Sequence, residues 1–154
     1  MHTRAAVHAI VAAAVLVTAA PAAAQRFSFE RVIDATPAST LDVSTVRGKI
    51  DVRLGEPGRI LVTGTVTVRV GWNVPSNAVE LAQRVAAQPP VSVESTTVRL
   101  RTPSDPVDAR AVTVSYEVRV PPGAQVTARS ESGAISIDGV MAAAASGPRR
   151  PACP

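Results

Sequence analysis

Residues Val112–Val140 read VTVSYEVRVPPGAQVTARSESGAISIDGV, and they decide the fold. Val112, Val114, Tyr116, Val118 and Val120 fall on one side of a two-residue alternation, with Thr113, Ser115, Glu117 and Arg119 on the other. That period marks a strand with one buried face. Pro121-Pro122-Gly123 ends the strand, because proline gives no N–H to a ladder and glycine admits positive φ. Val126 and Ala128 then alternate with Thr127 and Arg129. Ser132-Gly133 supplies a second turn, where positive φ is expected at the glycine. Ile135 and Ile137 resume the apolar face before Asp138-Gly139.

The same pattern extends upstream. Leu41–Thr45, Lys49–Leu54 and Arg59–Val70 are strand-like, with Gly55-Glu56-Pro57-Gly58 as a turn. An internal repeat is visible: Gly48 precedes Ile50 and Val52, Gly64 precedes Val66 and Val68, and Gly133 precedes Ile135 and Ile137. Leu41 and Val126 also stand at the same distance before their glycines. A strand–glycine turn–strand unit with one apolar face cannot bury that face alone, so the units are expected to stack.

Between these strands the period changes. Asn77 and Glu80 have the spacing of a capping box, and Ala78, Leu81, Ala82 and Val85 share one helical face. This predicts a short helix over 77–88, stopped by Pro89-Pro90. Trp72, just before it, is expected to anchor that excursion in the core. Val91–Val93 and Val98–Arg101 read as a hairpin, and Thr102–Arg110 as a loop with two prolines. Residues 25–40 form a lead-in in which Phe27 and Phe29 make a short strand broken by Pro37. The β domain proper spans 41–140. After Val140, MAAAASGPRRPACP lacks alternation, so 141–154 is read as a disordered tail.

The chain opens with Arg4, an apolar run over Ala5–Ala20, and Ala22-Ala23-Ala24. This is the pattern of a secretory signal peptide, 1–24, cleaved before Gln25. No later segment is long and apolar enough to span a membrane. Cys153 is the only cysteine, so no internal disulfide can form. The net charge is +4, and Lys49 is the only lysine. The arginines are scattered singly along alternating strands apart from Arg149-Arg150, and aromatic residues are 3% of the chain, so nucleic acid is not an expected partner.

The VSYEVRVP strand, the SESGAISIDGV turn, Trp72 and the short helix together resemble a family of bacterial exported proteins, the putative adhesins, over about Leu41–Val140. The most specific pieces are Val118-Arg119-Val120-Pro121 and Ser132-Gly133-Ala134-Ile135. The resemblance implies an all-β, stacked, solenoid-like and repetitive antiparallel sheet domain with one short inserted helix. It also implies an exported location, periplasmic or at the cell surface, and it carries over no catalytic residues. Family members continue with further Ser-Gly turns where this chain has one, which implies an incomplete domain.

His2 and His8 both precede Gln25, so the exported chain would have no histidine. This removes Ser–His–Asp and Cys–His catalysis and the commonest transition-metal ligand. A phosphate-binding loop and a dinucleotide fingerprint are also missing. Asp105, Asp108 and Glu131 are the carboxylates that could serve glycoside hydrolysis or Ca²⁺, although Asp is also an ordinary turn residue. No catalytic, cofactor or metal residue is assigned and no cofactor is expected. The expected function is a non-catalytic adhesin-like or envelope-associated binding module with a cell-surface or envelope ligand. A carboxylate-dependent carbohydrate-active enzyme is the alternative. The last strand, Ala134–Asp138, is expected to pair on one side only, and self-association through that C-terminal edge follows.

Overall fold

The computed structural model describes residues 25–146. The signal-peptide assignment to 1–24 and the tail beyond 146, with Cys153, lie outside the described residues. The strands are β1 (Arg26–Asp34), β2 (Thr40–Thr45), β3 (Ile50–Leu54), β4 (Arg59–Val68), β5 (Val91–Glu94), β6 (Thr97–Leu100), β7 (Val112–Val120), β8 (Gln125–Ser130), β9 (Ile135–Asp138) and β10 (Met141–Ser146). The helices are α1 (Ala78–Ala87) and α2 (Pro106–Ala111).

These strands form two open five-stranded sheets, ordered β1-β4-β7-β3-β9 and β10-β8-β2-β6-β5. The first is called sheet A and the second sheet B. Their facing residues form one core: Ile50, Val52, Val62, Val66, Val114, Tyr116 and Val118 from A meet Leu41, Val43, Val98, Leu100, Val126 and Ala128 from B. The all-β class expected from the alternation holds, as two stacked open sheets. The expected antiparallel pairing with one helix does not: the β8–β10, β2–β6, β2–β8, β3–β7 and β3–β9 pairs are parallel, and a second short helix is present. These strands are joined through connections that cross between sheets or over other strands, as parallel pairing requires. β7 lies between β4 and β3, and its residues alternate as the sequence predicts: the five apolar positions from Val112 to Val120 are buried, while Glu117 and Arg119 are exposed.

Two of the three repeat copies superimpose in space. β2 runs parallel to β8 with Leu41 opposite Val126, and β3 runs parallel to β9 with Ile50 opposite Ile135 and Val52 opposite Ile137. Each copy crosses from sheet B to sheet A through its glycine corner, so the Gly48 and Gly133 corners stack. The buried Thr45 hydroxyl donates to the Ser130 hydroxyl at 3.3 Å between them. Gly133 does not have positive φ. A glycine is required there because a Cβ would lie 1.9 Å from the Gly48 carbonyl oxygen.

The Gly64 copy is different. Gly64 sits inside β4, opposite Phe29 on β1 and Tyr116 on β7. The Phe29 ring occupies the space a Cβ would take, and the two rings meet edge to face at 6.2 Å between centroids. This geometry suits aromatic quadrupoles. The buried Tyr116 hydroxyl donates to the Arg101 carbonyl at 2.6 Å, tying the middle of sheet A to the end of β6 in sheet B. Burial pushes the Tyr116 phenol well above its ordinary value.

Several expectations change. The lead-in is a nine-residue strand, β1, antiparallel to β4 along its whole length, so it belongs to sheet A. Helix α1 forms where the spacing places it and buries Ala78, Leu81, Ala82 and Val85 against β1, β4 and β7. Asn77 stands at its N-cap but makes no side-chain capping bond. Trp72 is not in the core: it is fully exposed, on the loop before α1. The α1 face is closed by alanine, leucine and valine side chains, which leaves no place for an indole. The Thr102–Arg110 loop contains α2, capped by Asp105, whose Oδ1 accepts from Val107 N at 2.7 Å and Asp108 N at 3.2 Å, with Pro106 at the first helical position. Finally, 141–146 is not disordered. β10 pairs in parallel with β8, because an available strand edge can be met by main-chain groups whatever the propensity of the side chains. The last strand expected from sequence, β9, pairs with β3 alone among the described residues.

Candidate functional site

A recess lies on the outer face of sheet A, at the end where the β3–β4 connection crosses β7. β3 and β4 follow one another in sequence, yet they flank β7 on opposite sides. Gly55-Glu56-Pro57-Gly58 therefore has to pass over the end of β7. Gly55 N donates to Val120 O at 2.7 Å, and a Cβ on Gly55 would lie 2.8 Å from the Arg119 Cβ. Only glycine lets the loop sit this close. Beneath it is a groove of about 600 Å³, walled by Glu30, Val32, Leu61, Arg59, Arg119, Arg53, Leu54 and Glu56.

The strand register arranges this wall in rows. Val32, Leu61, Arg119 and Arg53 are successive cross-strand partners from β1 through β4 and β7 to β3. One row away stand Glu30, Thr63, Glu117 and Asp51. Asp51 is buried between Lys49 at 3.1 Å and Arg53 at 3.0 Å. Its burial works toward protonation, but the hydrogen bonds from Lys49 and Arg53 outweigh it and hold the carboxyl below its ordinary value. The Asp51 carboxylate in turn raises the Arg53 guanidinium. Arg59 pairs with Glu56. Among the described residues the Arg119 side chain has no ion-pair partner. The groove thus offers one uncommitted guanidinium beside half-exposed apolar side chains, a set able to hold a ligand.

The sequence candidates lie elsewhere: the first turn of α2 brings Asp105 and Asp108 together, and Glu131 stands apart from them. Asp105 caps α2, while Asp108 is buried and pairs with Arg84 of α1 at 2.6 Å. Both have structural partners. Glu131 is an exposed residue of the Gly133 corner, on a turn far in topology from α2. Among the described residues no group of three or more His, Cys, Asp or Glu side chains could hold a metal ion. No helix among them is long and apolar enough to cross a membrane. On the outer face of sheet B, Arg101 pairs with Asp42 at 2.6 Å, and that hydrogen bond is the main cause of a lowered Asp42 carboxyl.

Sequence reasoning missed the groove because its members are spread from β1 to β7. The one local signal was Gly55-Glu56-Pro57-Gly58, whose double glycine marked an unusually tight crossing.

No family model matches the chain, and no curated protein matches it. Among solved structures, a putative cell adhesion protein from Clostridium sporogenes shows partial likeness, with 9% identity and a TM-score of 0.42. The match covers 80% of this chain, and the chain spans 59% of the length of that protein.

Proposed function

We propose that this protein is an exported, non-catalytic β-domain protein: an adhesin-like or envelope-associated binding module working in the periplasm or at the cell surface. The groove on sheet A carries the proposal, because its charged groups are arranged to hold a ligand and include no nucleophile with an adjacent base. The signal-peptide pattern of 1–24 supports export. The stacked β2–β3 and β8–β9 units support a solenoid-like winding at that end of the domain. The edges of β9 and β10 there, each paired on one side among the described residues, support self-association.

The test combines fractionation of cells producing the native chain with binding of the purified protein to isolated envelope material. Export and saturable envelope binding are expected. A protein retained in the cytoplasm would overturn the proposal. So would glycan hydrolysis that disappears when Asp105, Asp108 and Glu131 are changed to Ala in a chain that still folds.

A further inference from the structure

We propose that the sheet A groove captures the C-terminal carboxylate of a peptide ending in apolar residues; this rests on the binding-module function above and names its ligand. The outer face of sheet A is polar over most of its area, with Ser28, Thr65 and Ser115 in one row, Lys49 N donating to Ser115 Oγ at its end, and Glu30, Thr63, Glu117 and Asp51 in the next row. At the β3–β4 end it changes character. Val32 is 58% exposed and stands directly opposite Leu61, while Leu54 is 50% exposed at the end of β3. In the same row two guanidiniums, Arg119 and Arg53, stand directly opposite one another. Like charges so placed oppose folding. Asp51 answers Arg53, and Glu56 answers the third guanidinium, Arg59. Among the described residues Arg119 has no such answer, and the Gly55 backbone packs against its base.

A planar guanidinium fork fits a carboxylate with two parallel hydrogen bonds. From Arg119 the row runs to Leu61 and Val32, two strand spacings or about 10 Å, so the anion should carry an apolar body of that reach. Glu30 and Glu56 on the wall choose between bodies. A peptide presents N–H donors to these carboxylates, whereas an alkyl chain would leave them against hydrocarbon without a partner. The same two carboxylates repel a polyanion. The volume of about 600 Å³ suits a ligand of two or three residues.

The experiment uses the full chain and an N-terminally labelled Ala-Leu-Val peptide, followed by fluorescence polarisation. The free-acid peptide should bind and its C-terminal amide should not. Arg119→Gln should weaken binding at least about ten-fold, as loss of a hydrogen-bonded charge does. Arg129→Gln, on an exposed position of sheet B, should leave it unchanged. Val32→Ser should weaken it with the fold intact by circular dichroism, so the outcome does not hang on one variant. Equal binding of acid and amide, indifference to Arg119→Gln, no binding at all, or tighter binding of decanoate than of the peptide would each overturn the assignment. Envelope binding is scored separately: if it persists while the peptide fails, the groove assignment falls and the binding module stands.

Discussion

Gly133→Ala tests the stacked corners most directly. The added Cβ would lie 1.9 Å from Gly48 O and 2.7 Å from Ser130 Oγ, where ordinary contact begins at 3.4 Å. The nearer obstacle is backbone, so no rotamer relieves it. Opening the corner far enough would break the bonds that span it: Glu131 N to Thr45 O at 3.1 Å, Ser132 N to Val46 O at 3.0 Å, and Ile50 N to Ala134 O at 2.9 Å. At about 1 kcal/mol net for each bond, the expected loss is about 3 kcal/mol, before any loss of packing at Ile135 and Ile137. Gly58→Ala is the control. Gly58 has φ +85° and nothing within 4 Å of an added Cβ, so only backbone strain of about 1 kcal/mol is expected. Urea unfolding followed by far-UV circular dichroism reads both, because Trp72 is already exposed in the folded state. With m about 1.5–2 kcal/mol/M, Gly133→Ala should lower the midpoint by about 1.5–2 M. A Gly133→Ala protein no less stable than Gly58→Ala would refute the close approach of the corners, and with it the parallel pairing of β9 on β3.

Other expectations follow from the same geometry. Native Trp72 emission should match that of a water-exposed indole, be fully open to a soluble quencher and change little on unfolding; Trp72→Ala should alter stability by less than about 0.5 kcal/mol. Asp51 is held below 3.8 when folded, so its contribution is present above that value and is lost as pH falls through the lower folded value. Asp51→Asn should therefore destabilise the protein at neutral pH and flatten the acid limb of its stability curve below about pH 4, and an unchanged limb would remove the Lys49–Asp51–Arg53 cluster from the account. Light scattering after size exclusion, with Cys153→Ser in place, should show concentration-dependent self-association through the β9 and β10 edges; a monomer at all concentrations would show that those edges are covered.

The sequence by itself determined most of the strands, because alternation is a property of neighbouring residues; β10, whose run of alanines does not alternate, escaped it. Val112–Val120 could only be a half-buried strand, and α1 was legible from the spacing of Leu81 and Val85. It also matched Leu41 with Val126 and Ile50 with Ile135, since repeated units tend to stack in register. Only the tertiary structure decided which strands are neighbours. β3 and β4 look like a hairpin around Gly55–Gly58, but β7 enters between them from about sixty residues away, and propensity carries no information about such pairing. The same non-local choice separated the glycines: Gly133 is forced by a carbonyl from another unit, Gly64 by the ring of Phe29, and neither by its own φ. It put Trp72 outside, because α1 and the β1–β4 pair close on each other without it. Asp105-Pro106 was a readable helix start, obscured by its two nearby prolines. The groove was out of reach of any local pattern, because Val32, Leu61, Arg119 and Arg53 become one surface only when four strands are set in register.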